Sequence, residues 1–191
     1  KLKVDYLFIP TEKEIYKNKN KIFKLSKSDK ILCAKYRKDH FEGVLNVMNR
    51  LMNIIKAKKI FMGEKDFQQL FLIKKYLSKK FRIKIIKCPT IRDKSKIALS
   101  TRNNLLSKKN YQKASLIAKN LIALRKKLNI NNKNLSFVLK ENIKKLENFH
   151  KIKIDYLEFR DEKDLTFAKP NKKYRLFIAY HIGNVRLIDN F

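Results

Sequence analysis

Only three glycines occur in 191 residues, Gly43, Gly63 and Gly183. That scarcity excludes both a dinucleotide-type G-x-G-x-x-G turn and a glycine-rich phosphate loop, so any nucleotide must be held by other means. Tryptophan is absent, and there are three prolines and two cysteines. Cys33 and Cys88 are too few and too far apart for a metal knuckle or a disulfide framework, and read as reduced, buried thiols. The three histidines, His40, His150 and His181, are not spaced i, i+4 as in a zinc helix, and no Ser or Cys sits in a nucleophile elbow, so no metal site is expected. No run of 18 apolar residues could span a bilayer, and residues 1–20 lack a signal-peptide pattern; a cytoplasmic location and no membrane partner are expected.

Acidic residues are also scarce, 17 against 48 basic, for a net charge of +31. Such an excess ordinarily points to nucleic acid. Here only nine of the basic residues are arginine, the type that bidentate phosphate and base recognition favours. The lysines run from end to end among abundant Asn, Ile, Phe and Tyr, the composition an A/T-rich coding sequence would produce. This disfavours nucleic acid as the partner and leaves a basic nucleic-acid-associated module as an alternative.

With 44% apolar residues, the chain can build a real core. Residues 2–9, LKVDYLFI, read as a buried strand stopped by Pro10. Asp39 is expected to open a helix with Glu42 as capping-box partner, carrying Val44, Leu45, Met48, Leu51, Met52 and Ile55 on one face. Lys58–Met62 reads as a strand ending at Gly63. Asp66 then caps a helix bearing Phe67, Leu70, Ile73, Tyr76 and Leu77, and residues 82–87 alternate as a further strand. That order is a parallel α/β unit. After a loop at 90–106, helices are expected at 108–128, with Ser107 as cap, and at 134–149, followed by strands near 152–160, 174–180 and 185–188. The second half is therefore a small α+β domain, with the boundary near Pro89, giving domains 1–88 and 89–191.

Ligands of open parallel sheets bind beyond the carboxyl ends of strands, where two loops are candidates. The first is Gly63-Glu64-Lys65-Asp66-Phe67-Gln68-Gln69. Gly63 allows close backbone approach, Lys65 is a mobile charge suited to phosphate, the following helix start offers free N–H groups, and Gln68 or Gln69 could bond a hydroxyl or carboxylate. The second contains Ala98-Leu99-Ser100-Thr101-Arg102-Asn103, in which two hydroxyls and an arginine fork suit a cluster of anionic oxygens. Taken singly, each reads first as an ordinary solvated loop.

Together they belong to a longer pattern. DHFEGVLNVMNRLMNII at 39–55, FMGEKDFQQL at 61–70, CPTIRD at 88–93, ALSTRN at 98–103, IDYLEFRD at 154–161 and IGNVRLIDNF at 182–191 fall in an order and spacing that resembles the pantothenate synthetase (pantoate–β-alanine ligase) family. The resemblance implies an incomplete Rossmann-like nucleotidyltransferase-type α/β domain of parallel sheet, followed by a small α+β C-terminal domain. It implies ATP-dependent condensation of pantoate with β-alanine through pantoyl adenylate, with Mg2+ accompanying the ATP, in a homodimer. By motif match Gly63, Glu64, Lys65 and Asp66 would line the ATP site with Lys65 on phosphate. Ile91 and Leu99 would lie against the nucleotide, Ser100, Thr101 and Arg102 would hold the phosphates, and Gln69 would hold pantoate; Arg37 and His40 match positions near the site. A related enzyme adenylylating another carboxylic acid is a further alternative.

Three departures stand out. Ser95-Lys96 occupies the place of a usual Asp-Gly, which is expected to stiffen or reshape the loop leading to Leu99–Arg102. Thr101 stands for a usual Ser. The family's loop of the form Pro-Thr-Met-Gly-x-Leu-His-x-Gly-His, whose histidines grip ATP, is not in these residues, so the chain is expected to be a fragment.

Overall fold

The computed structural model describes residues 3–16, 23–128 and 134–191. The chain forms two compact units, Lys1–Phe61 with Phe71–Ile86, and Met62–Leu70 with Lys87–Phe191.

In the first unit, helix α1 (Glu12–Ile15) is closed by a capping box between Thr11 and Glu14. Helices α2 (Cys33–Tyr36) and α3 (His40–Ile55) follow. Arg50 of α3 donates to the Ile15 carbonyl at 2.6 Å and lies 4.5 Å above the Tyr16 ring, which fastens α1 to α3. Phe41, Leu45 and Met52 form the buried stripe of α3, while Ile55 at its end is exposed. The expected capping box at Asp39 does not form. Asp39 is left-handed at φ 58°, whereas a capping side chain projects from an extended residue, and Glu42 turns away to accept from the Leu25 amide at 3.4 Å.

Strands β1 (Lys59–Gly63) and β2 (Lys84–Cys88) pair with each other and are joined through helix α4 (Phe67–Phe81), the connection a crossover unit requires. Phe67, Leu70, Ile73 and Leu77 of α4 are buried at helical spacing. Asp66 does not cap α4. It lies inside a 3-10 turn, Glu64–Asp66, that starts from Gly63 with no side-chain cap. The buried strand expected at 2–9 is also overturned over its described part: residues 3–10 form no strand, and Val4, Tyr6, Leu7, Phe8 and Ile9 are exposed. Strand-forming side chains become a strand only beside a pairing neighbour, and none of the described residues supplies one.

The second unit is an α+β layer. Helix α5 (Lys108–Lys127) starts at Ser107, whose hydroxyl accepts from the Asn110 amide, as the sequence predicts. Helix α6 (Leu135–His150) precedes three antiparallel strands, β3 (Lys153–Asp161), β4 (Tyr174–Ile182) and β5 (Val185–Asn190), in the order β3-β4-β5. The β4–β5 turn has two residues, with Gly183 at φ 56°, a conformation tight hairpins reserve for glycine. Ala114, Ile117 and Leu121 of α5 and Leu146 of α6 close over Leu157, Phe159, Leu176, Ile178 and Leu187 of the sheet. Ile97 joins this core, which anchors the loop that precedes α5. A one-residue irregularity between Ile154 and Tyr156 re-aims Asp155, which pairs with Arg186 at 2.8 Å and His181 at 3.3 Å.

A buried carboxylate organises the first unit. Asp29 accepts from Lys75 at 2.7 and 2.8 Å, from Tyr76 at 2.7 Å and from Ser26 at 2.8 Å. Burial pushes its pKa up, but the bonds from Lys75, Tyr76 and Ser26 together outweigh it and hold the pKa below the usual value. Its stabilisation is therefore complete above the unfolded-chain pKa of about 3.9 and is lost as pH falls through the lower folded value. Urea titrations of Asp29→Asn are expected to show lower stability at neutral pH and a shallower loss of stability below about pH 4 than the unsubstituted chain.

Candidate functional site

Both predicted loops lie in the second unit. Phe67, the first residue of α4, is buried edge-on against Phe177 of β4, with ring centroids 5.7 Å apart. Lys87 and Arg175 lie over the Phe67 ring at 5.1 and 4.7 Å. This aromatic anchor seats the turn Glu64–Asp66 on the antiparallel sheet, although it is distant from that sheet in sequence.

Gly63 has φ −68°, so its backbone conformation does not require glycine. A Cβ built there would meet nothing within 4 Å, so the lack of a side chain leaves that backbone open to close approach. Lys65 is half-buried and donates from Nζ to the Leu99 carbonyl at 3.1 Å, which joins the first loop to the second. Burial lowers its pKa below the usual lysine value against the pull of Asp66 and Asp189, while Arg102 and Arg92 lower it further. Three cationic side chains therefore share one electrostatic neighbourhood.

The second loop is a small hairpin. Arg92 and Ala98 bridge across it, Leu99 N–H donates to Ile91 O at 2.9 Å, and Lys96 N–H closes the turn on Asp93 O at 3.0 Å. The Asp93 carboxylate accepts from the Ile97 amide and from the Tyr111 hydroxyl of α5, and Ser115 of α5 donates to the Ser95 carbonyl at 2.8 Å. Lys96 takes φ 70°, the left-handed position that closes a three-residue hairpin loop. Ser95-Lys96 thus lies in a closed turn whose last residue is strained.

Beyond the hairpin, Ser100 starts a 3-10 turn, Thr101–Leu105, by accepting from the Arg102 amide at 3.2 Å, and Asn103 ties the turn to the Ala98 carbonyl at 3.0 Å. Thr101 and Arg102 are exposed, and the Arg102 guanidinium reaches the Arg186 carbonyl of β5 at 3.4 Å. Ile91 and Leu99 are exposed apolar residues on the same loop, at 70% and 53%. Gln69 is half-buried, and Gln68 is buried. Arg37 and His40 belong to the other unit. Arg37 follows α2, and His40 opens α3 with its ring 5.0 Å from that of Phe41.

Four residues not singled out from sequence complete the arrangement. Arg92 forms a bidentate pair with Asp189 of β5 at 2.7 and 2.8 Å and donates to Asn190 O at 3.0 Å. Arg175 of β4 donates to Glu64 at 2.9 Å and to Asn190 Oδ1 at 3.0 Å. The Asn190 amide donates to Glu64 O at 2.9 Å and Lys65 O at 3.0 Å. Arg92, Asp189 and Asn190 fall inside the blocks CPTIRD and RLIDN, so the recurring pattern flagged them without indicating what they do. Arg175 lies outside every block. Among the described residues, Lys65 and Arg102 have no carboxylate within ion-pair distance, whereas Arg92 and Arg175 are neutralised. Two unpaired cations beside two hydroxyls suit a polyanionic ligand.

The fold and the loops together define an α/β chain with a candidate phosphate site on its second unit. The comparisons make the class specific: a family model described as pantoate-beta-alanine ligase matches residues 1–191. Pantothenate synthetases of Flavobacterium psychrophilum and Clostridium botulinum are 36% and 37% identical over 96% and 100% of this chain. Among solved structures, pantothenate synthetase from Thermus thermophilus superposes with TM-score 0.81 at 25% identity over 99% of this chain. A Francisella tularensis pantoate-beta-alanine ligase, complexed with beta-gamma ATP and beta-alanine, superposes with TM-score 0.73 at 35% identity over 94%. The chain belongs to the pantoate–β-alanine ligase family. It spans 67% and 69% of the two sequence relatives and 70% and 61% of the two structures.

A left-handed lysine costs about 1–2 kcal/mol relative to a glycine free to adopt the conformation, offset in part by the greater freedom of glycine in the unfolded chain. Lys96→Gly is therefore expected to stabilise the chain by about 0.5–1 kcal/mol and to raise its melting temperature by about 1–4 °C. Calorimetry checks both.

Proposed function

We propose that this chain supplies the phosphate-gripping and pantoate-holding part of an ATP-dependent pantoate–β-alanine ligase. The observation that carries the reading is the convergence of Lys65 and the Ser100–Arg102 turn, two separate loops joined by the bond from Lys65 to Leu99 O. In this reaction the pantoate carboxylate attacks the α-phosphorus of ATP, diphosphate leaves, and the amine of β-alanine then displaces AMP from pantoyl adenylate. No covalent enzyme intermediate is needed, so the protein's part is to position the substrates and to offset charge growing on phosphate oxygens. Lys65 and Arg102, lacking carboxylate partners, are available for that charge. Ser100 and Thr101 add hydroxyls, Ile91 and Leu99 offer apolar surface to the nucleotide, and Gln69 offers an amide to pantoate. The solved Francisella relative, complexed with beta-gamma ATP and beta-alanine, supports the nucleotide and amine substrates of this reading.

Mg2+ would enter with the nucleotide. No group of three or more His, Cys, Asp or Glu among the described residues is arranged as a metal site. In this reading the ion is held mainly by substrate phosphates and water, as Mg2+ usually is beside a nucleotide. We read residues 1–88 as the C-terminal part of the nucleotide-binding domain, with Met62–Leu70 packed into the second unit, and 89–191 as the small α+β domain of a cytoplasmic homodimer. No described helix is long and apolar enough to cross a membrane.

In the complete enzyme, Lys65→Ala and Arg102→Ala are each expected to lower kcat/KM by an amount equivalent to about 2–4 kcal/mol, with AMP release as the readout. Wild-type rates in both variants would remove the assigned roles. These 191 residues assayed alone with ATP, pantoate and β-alanine are expected to release negligible AMP, because the histidine-bearing loop of the family is not among them. Robust turnover would show that loop to be dispensable.

A further inference from the structure

Asn190 touches both loops of the candidate site. Its side chain is buried, at 3% exposure, and every polar atom of the amide is engaged. Nδ2 has two hydrogens, and it donates to Glu64 O at 2.9 Å and to Lys65 O at 3.0 Å. Oδ1 accepts from Arg175 at 3.0 Å, which also fixes the sense of the amide, since a guanidinium cannot accept. The main-chain carbonyl of Asn190 accepts from Arg92 at 3.0 Å, and Arg92 is part of the hairpin that leads to Ser100 and Arg102. One residue thus holds the backbone under Lys65 through its side chain and the base of the second loop through its main chain.

This geometry answers a mechanical need. A lysine side chain is a flexible four-carbon arm, and its charge is placed no better than its backbone. The turn Glu64–Asp66 is only three residues long, has no side-chain cap and begins at a glycine. Its carbonyls are instead held by an amide from β5, and Arg175 fixes both that amide and the Glu64 carboxylate, at 2.9 Å.

We propose that Asn190, held by Arg175, is a positioning residue for Lys65, and sets the spacing of the two phosphate-gripping loops. The proposal rests on the reading of the site as an ATP-phosphate site, and the experiment separates the two. The complete enzyme, 15N-labelled, is titrated with ATP, following the amides of Lys65, Asp66, Thr101 and Arg102, with melting temperature measured in parallel. Asn190→Ala is expected to weaken ATP binding about tenfold, the effect of losing roughly one well-placed charge contact. Lys65→Ala should weaken binding similarly, and the double variant should bind no more weakly than Lys65→Ala alone. Hydrogen exchange in Asn190→Ala should accelerate at residues 64–66 while the amides of β3 and β4 keep their protection, a pattern general loss of stability would not give. Arg175→Lys, which keeps the charge but loses the fork, is the second variant should Asn190→Ala fail to fold, and is expected to weaken ATP binding a few-fold through the same Lys65-dependent path.

ATP binding that depends on Lys65 but is unchanged in Asn190→Ala or, if that variant does not fold, in Arg175→Lys would overturn the positioning role and leave the ATP site intact. Binding that is absent, or indifferent to Lys65→Ala, would remove the ATP-site reading and this proposal with it. Additive losses in the double variant would mean that Asn190 acts independently of Lys65, and would also overturn it.

Discussion

Two backbone carbonyls, those of Glu64 and Lys65, are held by one buried amide at the far end of the chain. Much of the second unit supports that contact. Phe67 packs on Phe177 and brings the turn to the sheet, Arg175 orients the amide of Asn190, and the bidentate Arg92–Asp189 pair fastens the hairpin to the same strand. Charge-assisted bonds at partly buried sites are among the stronger polar contacts a protein makes. Here they are spent on the relative placement of two short loops with little regular structure of their own.

The same pairing logic separates the cations. Arg92, Arg175 and Arg186 each face a carboxylate, while Lys65 and Arg102 bond only to main-chain carbonyls in the described contacts. A carbonyl orients a cation without neutralising it, so the charge of these two is left unpaired.

Much of the architecture could be read from residue patterns. Helix α5 followed from Ser107 at its start, and the three terminal strands from strand-like runs near 152–160, 174–180 and 185–188. The two loops were found because unusual residue types gather at strand and helix ends. Failures had local causes. Asp39 and Glu42 have the composition of a capping box, but the box needs an extended cap residue and Asp39 is left-handed. Asp66 looked like a helix cap and lies within a 3-10 turn. Residues 3–9 have the side chains of a strand, yet strand formation depends on a partner that the described residues do not provide.

What the sequence by itself determined is the family, through six ordered blocks, together with the candidate loops of the site and the exclusion of glycine-rich nucleotide motifs. Those conclusions depend on side-chain chemistry and spacing along the chain. Tertiary structure alone decided that Arg92, Arg175, Asp189 and Asn190 act on the two loops, and that Lys96 completes its turn in a left-handed conformation. Asn190 and Glu64 lie at opposite ends of the second unit's sequence, and no local pattern encodes a hydrogen bond between residues so far apart. Only the folding of the antiparallel sheet against Phe67 brings them within 3.0 Å.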